Sequence, residues 1–201
     1  MGEWQPVAIR HRGPRCEMCA SPIAEEGHDH VADLRDRRLL CTCRGCFLLF
    51  TPEGAGGSRF RAVPDRHLAL PDLDVSPGQW DALQIPVSVA FFFESSEAGR
   101  TVAFYPSPAG ATESLLPLDA WGQVLRAHPS LPALLPDVEA FLLRRDRATG
   151  RTEVFLVPID VCYELVGTLR QHWRGFDGGS EAHAALDEFF AGVAARAEVV
   201  A

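Results

Sequence analysis

Five of the six cysteines lie within 31 residues of one another near the N-terminus, with the spacing of a metal site. They include two C-x-x-C pairs about 23 residues apart, Cys16 with Cys19 and Cys43 with Cys46. Two such pairs, which we call knuckles, present four thiolates that can surround one metal ion as a tetrahedron. The two knuckles therefore predict a four-cysteine metal site.

Zinc and iron are both open as the metal, because four thiolates accept either ion with nearly the same geometry. Zinc is favoured, since structural sites of this kind are its commonest use, and iron would instead give a one-electron carrier. Cys41 is the fifth cysteine of the group. It is either a spare thiol or a ligand in place of Cys43, and an iron–sulfur cluster is a further alternative, although the usual ferredoxin spacings are absent.

His28 and His30 lie between the two knuckles with one residue separating them. Side chains alternate along an extended chain, so both imidazoles lie on one side of it. They could complete a second metal site or substitute for a cysteine. The alternative is a pair of solvated or hydrogen-bonding histidines.

A short hairpin is expected to bring the two knuckles together. Residues 31–34 and 38–40 are mostly apolar and flank the polar turn 35–37, and an apolar stretch, 47–50, follows the second knuckle. Knuckle, hairpin and knuckle in this order are typical of a zinc ribbon or a rubredoxin-like module. We assign residues 1–60 to that module.

The next 24 residues are rich in proline and aspartate without clear periodicity. They predict a linker over residues 61–84, which includes one short helix. Ser76 followed by Pro77 supplies an N-cap and a proline at the first helical position, so the helix should run to Leu83.

Residues 85–201 predict an α+β body. Ala90–Phe93 and Ala140–Leu143 are apolar, and each is followed by a polar turn and a Gly-Arg-Thr sequence. Helices are expected after them, capped by Asp119 and Asp160. Two β-β-α units would form one antiparallel sheet of about four strands with helices on one face. Internal duplication and a coincidence of hairpin chemistry are both open explanations.

The end of the chain predicts one more helix, from Ser180 as its cap to about Arg196, because apolar residues recur there at helical spacing. Cys162 belongs to a similar apolar stripe and is expected to be buried in the core rather than to act as a nucleophile.

Residues 107–114 form an insertion that the second unit lacks. Its small and polar residues make a candidate binding loop, with a plain surface turn as the alternative. No catalytic base and no G-x-S-x-G motif accompanies its hydroxyl groups, so the chain is expected to be non-enzymatic. The candidate binding residues are Ser107, Thr112, Glu113 and Ser114.

The net charge of −8 argues against a chain built for nucleic acid. The arginines of the expected hairpin alternate with acidic residues, as on a solvated face, so a nucleic-acid-binding ribbon is the less favoured class. No apolar run approaches the ~18 residues that cross a bilayer, and the first 14 residues lack the apolar core of a signal peptide. We therefore expect a cytoplasmic protein with reduced thiols.

Four stretches of the chain carry a resemblance to a known family: Arg15-Cys-Glu-Met-Cys19, Leu39-Leu-Cys-Thr-Cys-Arg-Gly-Cys46, residues 103–121, and Val157-Pro-Ile-Asp160. They resemble an uncharacterised bacterial family that is often encoded beside uptake [NiFe]-hydrogenase genes of the high-affinity, oxygen-tolerant kind. The resemblance runs from about Arg15 to Phe190 and implies a role beside a hydrogenase. One implied role is an accessory protein that docks on a hydrogenase subunit or a maturation factor, and the other is a rubredoxin-like electron carrier.

Overall fold

The computed structural model describes residues 13–57, 59–73, 75–107, 110–114, 119–146, 149–173 and 179–200. The first 12 residues, where no signal peptide was expected, and residues 108–109 of the candidate loop lie outside those ranges. The chain divides into two compact units, Met1–Ala62 and Val63–Ala201. Helices and antiparallel sheets are both present, so the α+β class is confirmed.

The described residues of unit 1, Met1–Ala62, form a three-stranded sheet and one short helix. The predicted hairpin is present, with Val31 opposite Leu40 and Asp33 opposite Arg38. A third strand, which was not predicted, pairs with the first, so the strand order is β2-β1-β3. The elements are β1 (Asp29–Asp33), β2 (Arg38–Thr42), α1 (Arg44–Leu48) and β3 (Phe60–Ala62).

A buried ion pair joins the ends of this hairpin to the segment before β3. The carboxylate of Asp33 is fully buried and accepts two hydrogen bonds from Arg59, at 3.1 and 2.8 Å. These hydrogen bonds outweigh the effect of burial and lower the pKa of Asp33 below its usual range.

Unit 2, Val63–Ala201, is built on a seven-stranded sheet in the order β10-β4-β9-β8-β5-β6-β7. Every neighbouring pair is antiparallel except β10 and β4. The four predicted strands form its centre, β9-β8-β5-β6. The elements are β4 (Leu68–Ala69), α2 (Pro77–Ala82), β5 (Val89–Ser95), β6 (Arg100–Ser107), β7 (Gly110–Ser114), α3 (Asp119–Ala127), β8 (Glu139–Arg145), β9 (Thr152–Pro158), α4 (Ile159–His172), α5 (Gly179–Arg196) and β10 (Glu198–Val199).

Helices cover both faces of this sheet, whereas the sequence predicted them on one. Phe141 contacts Trp121 of α3, with 5.6 Å between ring centroids. Leu142, the next residue of β8, points to the other face together with its cross-strand partner Phe155, which contacts Phe190 of α5 at 6.1 Å. Strands β8 and β9 each contain four consecutive apolar residues, 140–143 and 154–157, which point alternately to the two faces and therefore require cover on both sides.

The two β-β-α units do occur in the predicted order, but they are not symmetric copies. The sequence match makes Phe92 equivalent to Leu142. In the sheet Phe92 is paired with Phe141, so Phe92 and Leu142 lie on opposite faces. The paired strands β5 and β8 are therefore not related by a two-fold axis, and duplication and coincident hairpin chemistry both fit the match.

Residues 63–84 contribute to the core of unit 2, although their composition predicted a linker. Leu70, Leu73, Val75, Trp80 and Leu83 are buried there against the central strands. The chain is irregular here and interrupted by prolines, so the positions of these residues in the sequence follow neither the helical nor the strand period. The predicted cap of α2 is present, with Ser76 and Gln79 bonding reciprocally.

Three predicted helix caps lie within the first turn of their helices instead of before it. Asp160 lies in the first turn of α4, whose N-cap position is taken by Pro158. Ser180 is the second residue of α5, which begins at Gly179. Helix α3 begins at Asp119 itself. No helix within the described ranges is long and apolar enough to cross a membrane.

Candidate metal centre

The first knuckle is a tight turn that closes on its own backbone. The N–H of Cys16 donates to Ser21 O at 2.8 Å, and the N–H of Ala20 donates to Cys16 O at the same distance. Ala20 has a φ of 61°, the left-handed conformation that reverses the chain after Cys19. The closed turn fixes the positions of both cysteine side chains.

The second knuckle lies where β2 ends and α1 begins. Cys43 is the N-cap of α1, with extended backbone angles, and its carbonyl accepts the N–H of Phe47 at 3.0 Å. Cys46 lies one turn into the helix. Residues three apart at the start of a helix lie on the same side of it, so both sulfurs are presented together.

The structure brings the four cysteine sulfurs of the two knuckles together. All of these Sγ atoms lie within 4.8 Å of one another, and those of Cys19 and Cys43 are 3.6 Å apart. Four sulfurs about 2.3 Å from a zinc ion at the centre of a tetrahedron would be about 3.8 Å apart. All four are free thiols. The cluster therefore has the donors and the size that a tetrahedral metal ion needs.

The surroundings of the cluster favour thiolates at the first knuckle. The hydroxyl and N–H groups of Ser21 lower the pKa of Cys19 to about 6. Burial acts to raise the pKa of Cys16, but backbone N–H groups of Cys43, Cys19 and Met18 outweigh it, and the pKa is lowered. Hydrogen bonds of this kind stabilise the charged sulfur that a metal requires.

The cysteines around Cys46 favour its protonated form. Its hydrogen bond to Cys19, together with burial, raises the pKa of Cys46 to about 12. A metal ion would replace that proton at the centre of the four sulfurs, so binding releases protons.

Glu17, between the two cysteines of the first knuckle, ties that knuckle to β2. Its N–H donates to Cys41 O at 2.9 Å, and its carboxylate accepts the N–H of Cys41 at 2.7 Å. The same carboxylate accepts a hydrogen bond from Arg38 at 3.4 Å. Sequence reasoning missed Glu17, because nothing in its spacing distinguishes it from other surface carboxylates.

The model of a family described as a family of unknown function, DUF5947, matches residues 15–197. The chain belongs to this family. The expected resemblance to an uncharacterised family is thereby confirmed, and the match includes all six cysteines. No curated protein and no solved structure matches the chain.

Cys41 of this DUF5947 chain is the alternative to Cys43 that the sequence leaves open, and its sulfur lies outside the four-cysteine cluster. Cys41 is directly opposite His30 in the hairpin, and cross-strand partners point to the same face. Its sulfur forms a group with the imidazoles of His28 and His30, whose donor atoms lie within 4.8 Å of one another.

The candidate binding loop is an edge hairpin of the large sheet, formed by β6 and β7. Ser107 donates to Gly110 O at 3.0 Å, and Thr112 donates to Ser107 Oγ at 2.9 Å. Glu113 accepts a hydrogen bond from Arg100 at 3.0 Å, and Ser114 is buried. The polar groups of Ser107, Thr112 and Glu113 thus have partners within the sheet.

The structure also places Cys162 and the arginines of the hairpin in unit 1. Cys162 is fully buried in α4, and burial raises its pKa well above the usual value, as in a core thiol. Among the arginines of the hairpin, Arg38 is paired with Glu17 and Arg44 with Asp29.

Proposed function

We propose that this protein is a non-enzymatic metal-binding accessory protein, in which a zinc ion at the four-cysteine cluster holds unit 1 together. The observation that carries the proposal is the convergence of four free sulfurs from two knuckles, all within 4.8 Å. Three-ligand zinc sites bind water or substrate, whereas four thiolates close the coordination sphere and leave the ion a structural role.

The small core of unit 1 supports a structural role for the metal. Within its described residues the buried apolar side chains are few, and one of them is itself a cluster cysteine: Cys16, Val31, Ala32, Leu40 and Phe47. Domains of this size rarely fold on such a core without a metal or disulfides. Structural zinc supplies about 10–16 kcal/mol in comparable modules, and this binding energy is folding energy.

Two leucines directly after the second knuckle support a docking role for unit 1. Leu48 and Leu49 are 48% and 64% exposed, at the end of α1, and the metal would fix the start of that helix. The partner we propose, from the resemblance to a family encoded beside hydrogenase genes, is a [NiFe]-hydrogenase subunit or a maturation factor. The compartment we propose is the cytoplasm, where thiols stay reduced.

A rubredoxin-like electron carrier with iron in the same cluster is the second candidate. The exposure of Cys19 favours it, because a ligand sulfur at the surface shortens the path for an electron to a partner. A nucleic-acid-binding ribbon is less well supported, since Arg38, Arg44 and Arg59 are engaged with carboxylates of the same unit.

Replacing one cysteine ligand tests the proposal that a metal ion holds unit 1 together. Cys19→Ser and Cys46→Ser should each lose the metal and unfold residues 15–50, because three thiolates no longer close the tetrahedron. The matched control is Cys162→Ala, which should keep the full metal content. The measurement is zinc per chain by elemental analysis together with amide hydrogen exchange over residues 15–50. Full metal retention by both serine variants would overturn the ligand assignment.

Exchanging the exposed leucines tests the docking proposal. A Leu48→Ser/Leu49→Ser double variant should keep its zinc but lose co-purification with the hydrogenase subunits or maturation factors when they are co-expressed. Leu135→Ser is the control, because Leu135 is also 48% exposed but belongs to unit 2. If the native chain co-purifies with none of these proteins, the proposed partner is wrong.

A further inference from the structure

A second group of metal-binding side chains lies on one face of the hairpin in unit 1. His30 in β1 is directly opposite Cys41 in β2. His28 lies two residues before His30, on the same side of the extended chain. The two imidazole centroids are 4.8 Å apart, and the rings are inclined at 65°. The hairpin register adds Cys41 to the two histidines, which their spacing in the sequence already places on one side.

His28 is oriented as a metal-binding histidine is. Its Nδ1 lies 3.1 Å from the carbonyl oxygen of Ala24, so Nδ1 carries the proton and donates it to that carbonyl. This tautomer leaves a lone pair on Nε2, which is the atom a metal would use. A backbone carbonyl that fixes the ring through its other nitrogen is the usual arrangement around metal-bound histidine.

The Nε2 atom of His28 is buried and has no hydrogen-bond partner among the described residues. A buried acceptor without a partner destabilises the fold, so native structures rarely leave one unsatisfied. A metal ion between this atom, His30 and Cys41 would satisfy it. The position of the orphaned lone pair therefore points to a ligand.

The backbone of Cys41 is held on both sides, which limits the movement of its thiol. Its N–H donates to the Glu17 carboxylate, and its carbonyl accepts the N–H of Glu17. Asp29, between the two histidines, is turned to Arg44 at 3.0 Å. Within the described chain, the donor atoms that converge at this point are two imidazoles and one thiol.

We propose that His28, His30 and Cys41 bind a second zinc ion, separate from the ion in the four-cysteine cluster. Imidazole and thiolate ligands both suit zinc, which holds three protein ligands plus one exchangeable position in its open sites. Binding forms one Zn–S and two Zn–N bonds, and the Cys41 thiol releases its proton to solvent. The fourth position is then free for water or for a donor group from another molecule.

Metal stoichiometry of the full chain tests the proposal. After loading with zinc and removal of the excess, the native chain should hold two ions. His28→Ala and Cys41→Ala should each hold one, in the four-cysteine cluster. His128→Ala is the matched control and should hold two zinc ions. Nδ1 of His128 also lies within hydrogen-bond distance of a backbone carbonyl oxygen, at 2.9 Å, but His128 is outside the cluster. One ion in the native chain, or two in both cluster variants, would overturn the proposal.

A spectroscopic measurement on the native chain keeps the proposal testable if the variants misfold. With zinc retained in the four-cysteine cluster, Co²⁺ should enter the second site and produce a thiolate-to-cobalt absorption band. Proton NMR of that sample should show strongly shifted imidazole resonances, including the hydrogen-bonded Nδ1 proton of His28. Cobalt binding without shifted imidazole resonances would refute the assignment.

Discussion

The ion pair between Arg66 and Glu139 gives a prediction whose size follows from the structure. Glu139 is fully buried, and its two carboxylate oxygens accept Arg66 Nε at 2.7 Å and Nη2 at 2.6 Å. A third hydrogen bond comes from the N–H of Leu135 at 2.8 Å. Arg66 also donates to Ala133 O. The Arg66→Met variant keeps most of the side-chain stem and removes these guanidinium contacts.

The Arg66→Met substitution should lower the free energy of unfolding of unit 2 by about 3 kcal/mol. Removing one partner of a buried pair costs about 3–5 kcal/mol, because the remaining charge has no compensation. The lower end applies, since Leu135 still donates to the carboxylate and the Arg66 side chain is 37% exposed to solvent. At about 1.4 kcal/mol per factor of ten, the folding equilibrium of unit 2 should shift by about 100-fold.

Urea unfolding followed by tryptophan fluorescence measures this loss in unit 2, where Trp80 and Trp121 are buried. Arg100→Met is the control, because its partner Glu113 is partly exposed and such pairs contribute less than about 1 kcal/mol. Adding Glu139→Gln to Arg66→Met should recover part of the loss by removing the buried charge. Equal losses in the two single arginine variants would mean that the burial of Glu139 adds nothing to its ion pair.

Three further predictions concern unit 2. Trp121 is fully buried and stacks on Phe92 at 4.4 Å, so Trp121→Ala should lose about 3–5 kcal/mol in urea unfolding, and a loss below about 1 kcal/mol would contradict that packing. Burial, aided by the charge of Arg196, lowers the pKa of His67. Below about pH 6.5 the unfolded chain therefore binds a proton at His67 more readily than the folded chain does. The free energy of unfolding should fall with pH there more steeply in the native chain than in His67→Gln. Parallel pH profiles of the two proteins would show that His67 does not contribute. Cys162→Ala should weaken the core without changing the metal content, and metal loss would refute its burial in α4.

The parts of this protein that were predictable from sequence depend on local spacing. The knuckles are fixed by C-x-x-C turns, so the spacing alone grouped Cys16, Cys19, Cys43 and Cys46. The hairpins of the large sheet likewise follow from apolar runs around polar turns, and the cap of α2 follows from Ser76 and Pro77. In each case a few consecutive residues determine the geometry.

The parts that were missed depend on contacts between distant residues. Cys41 joins His30 only through the register of the hairpin, and a shift of one residue would turn the two side chains to opposite faces. Glu139 pairs with Arg66, which lies 73 residues away in the sequence, so no local pattern predicts a buried carboxylate at position 139. The helices on both faces follow from the path of the chain between elements, which the apolar strands permit but do not specify.

Elemental analysis of the purified native protein, paired with its visible absorption spectrum, identifies the metal of the four-cysteine cluster. We expect bound zinc and a colourless protein, with the zinc of this cluster lost when Cys46 is replaced by serine. Iron with thiolate charge-transfer bands would contradict the structural role of zinc and favour the rubredoxin-like electron carrier instead. A folded chain that contains neither metal would contradict both functions.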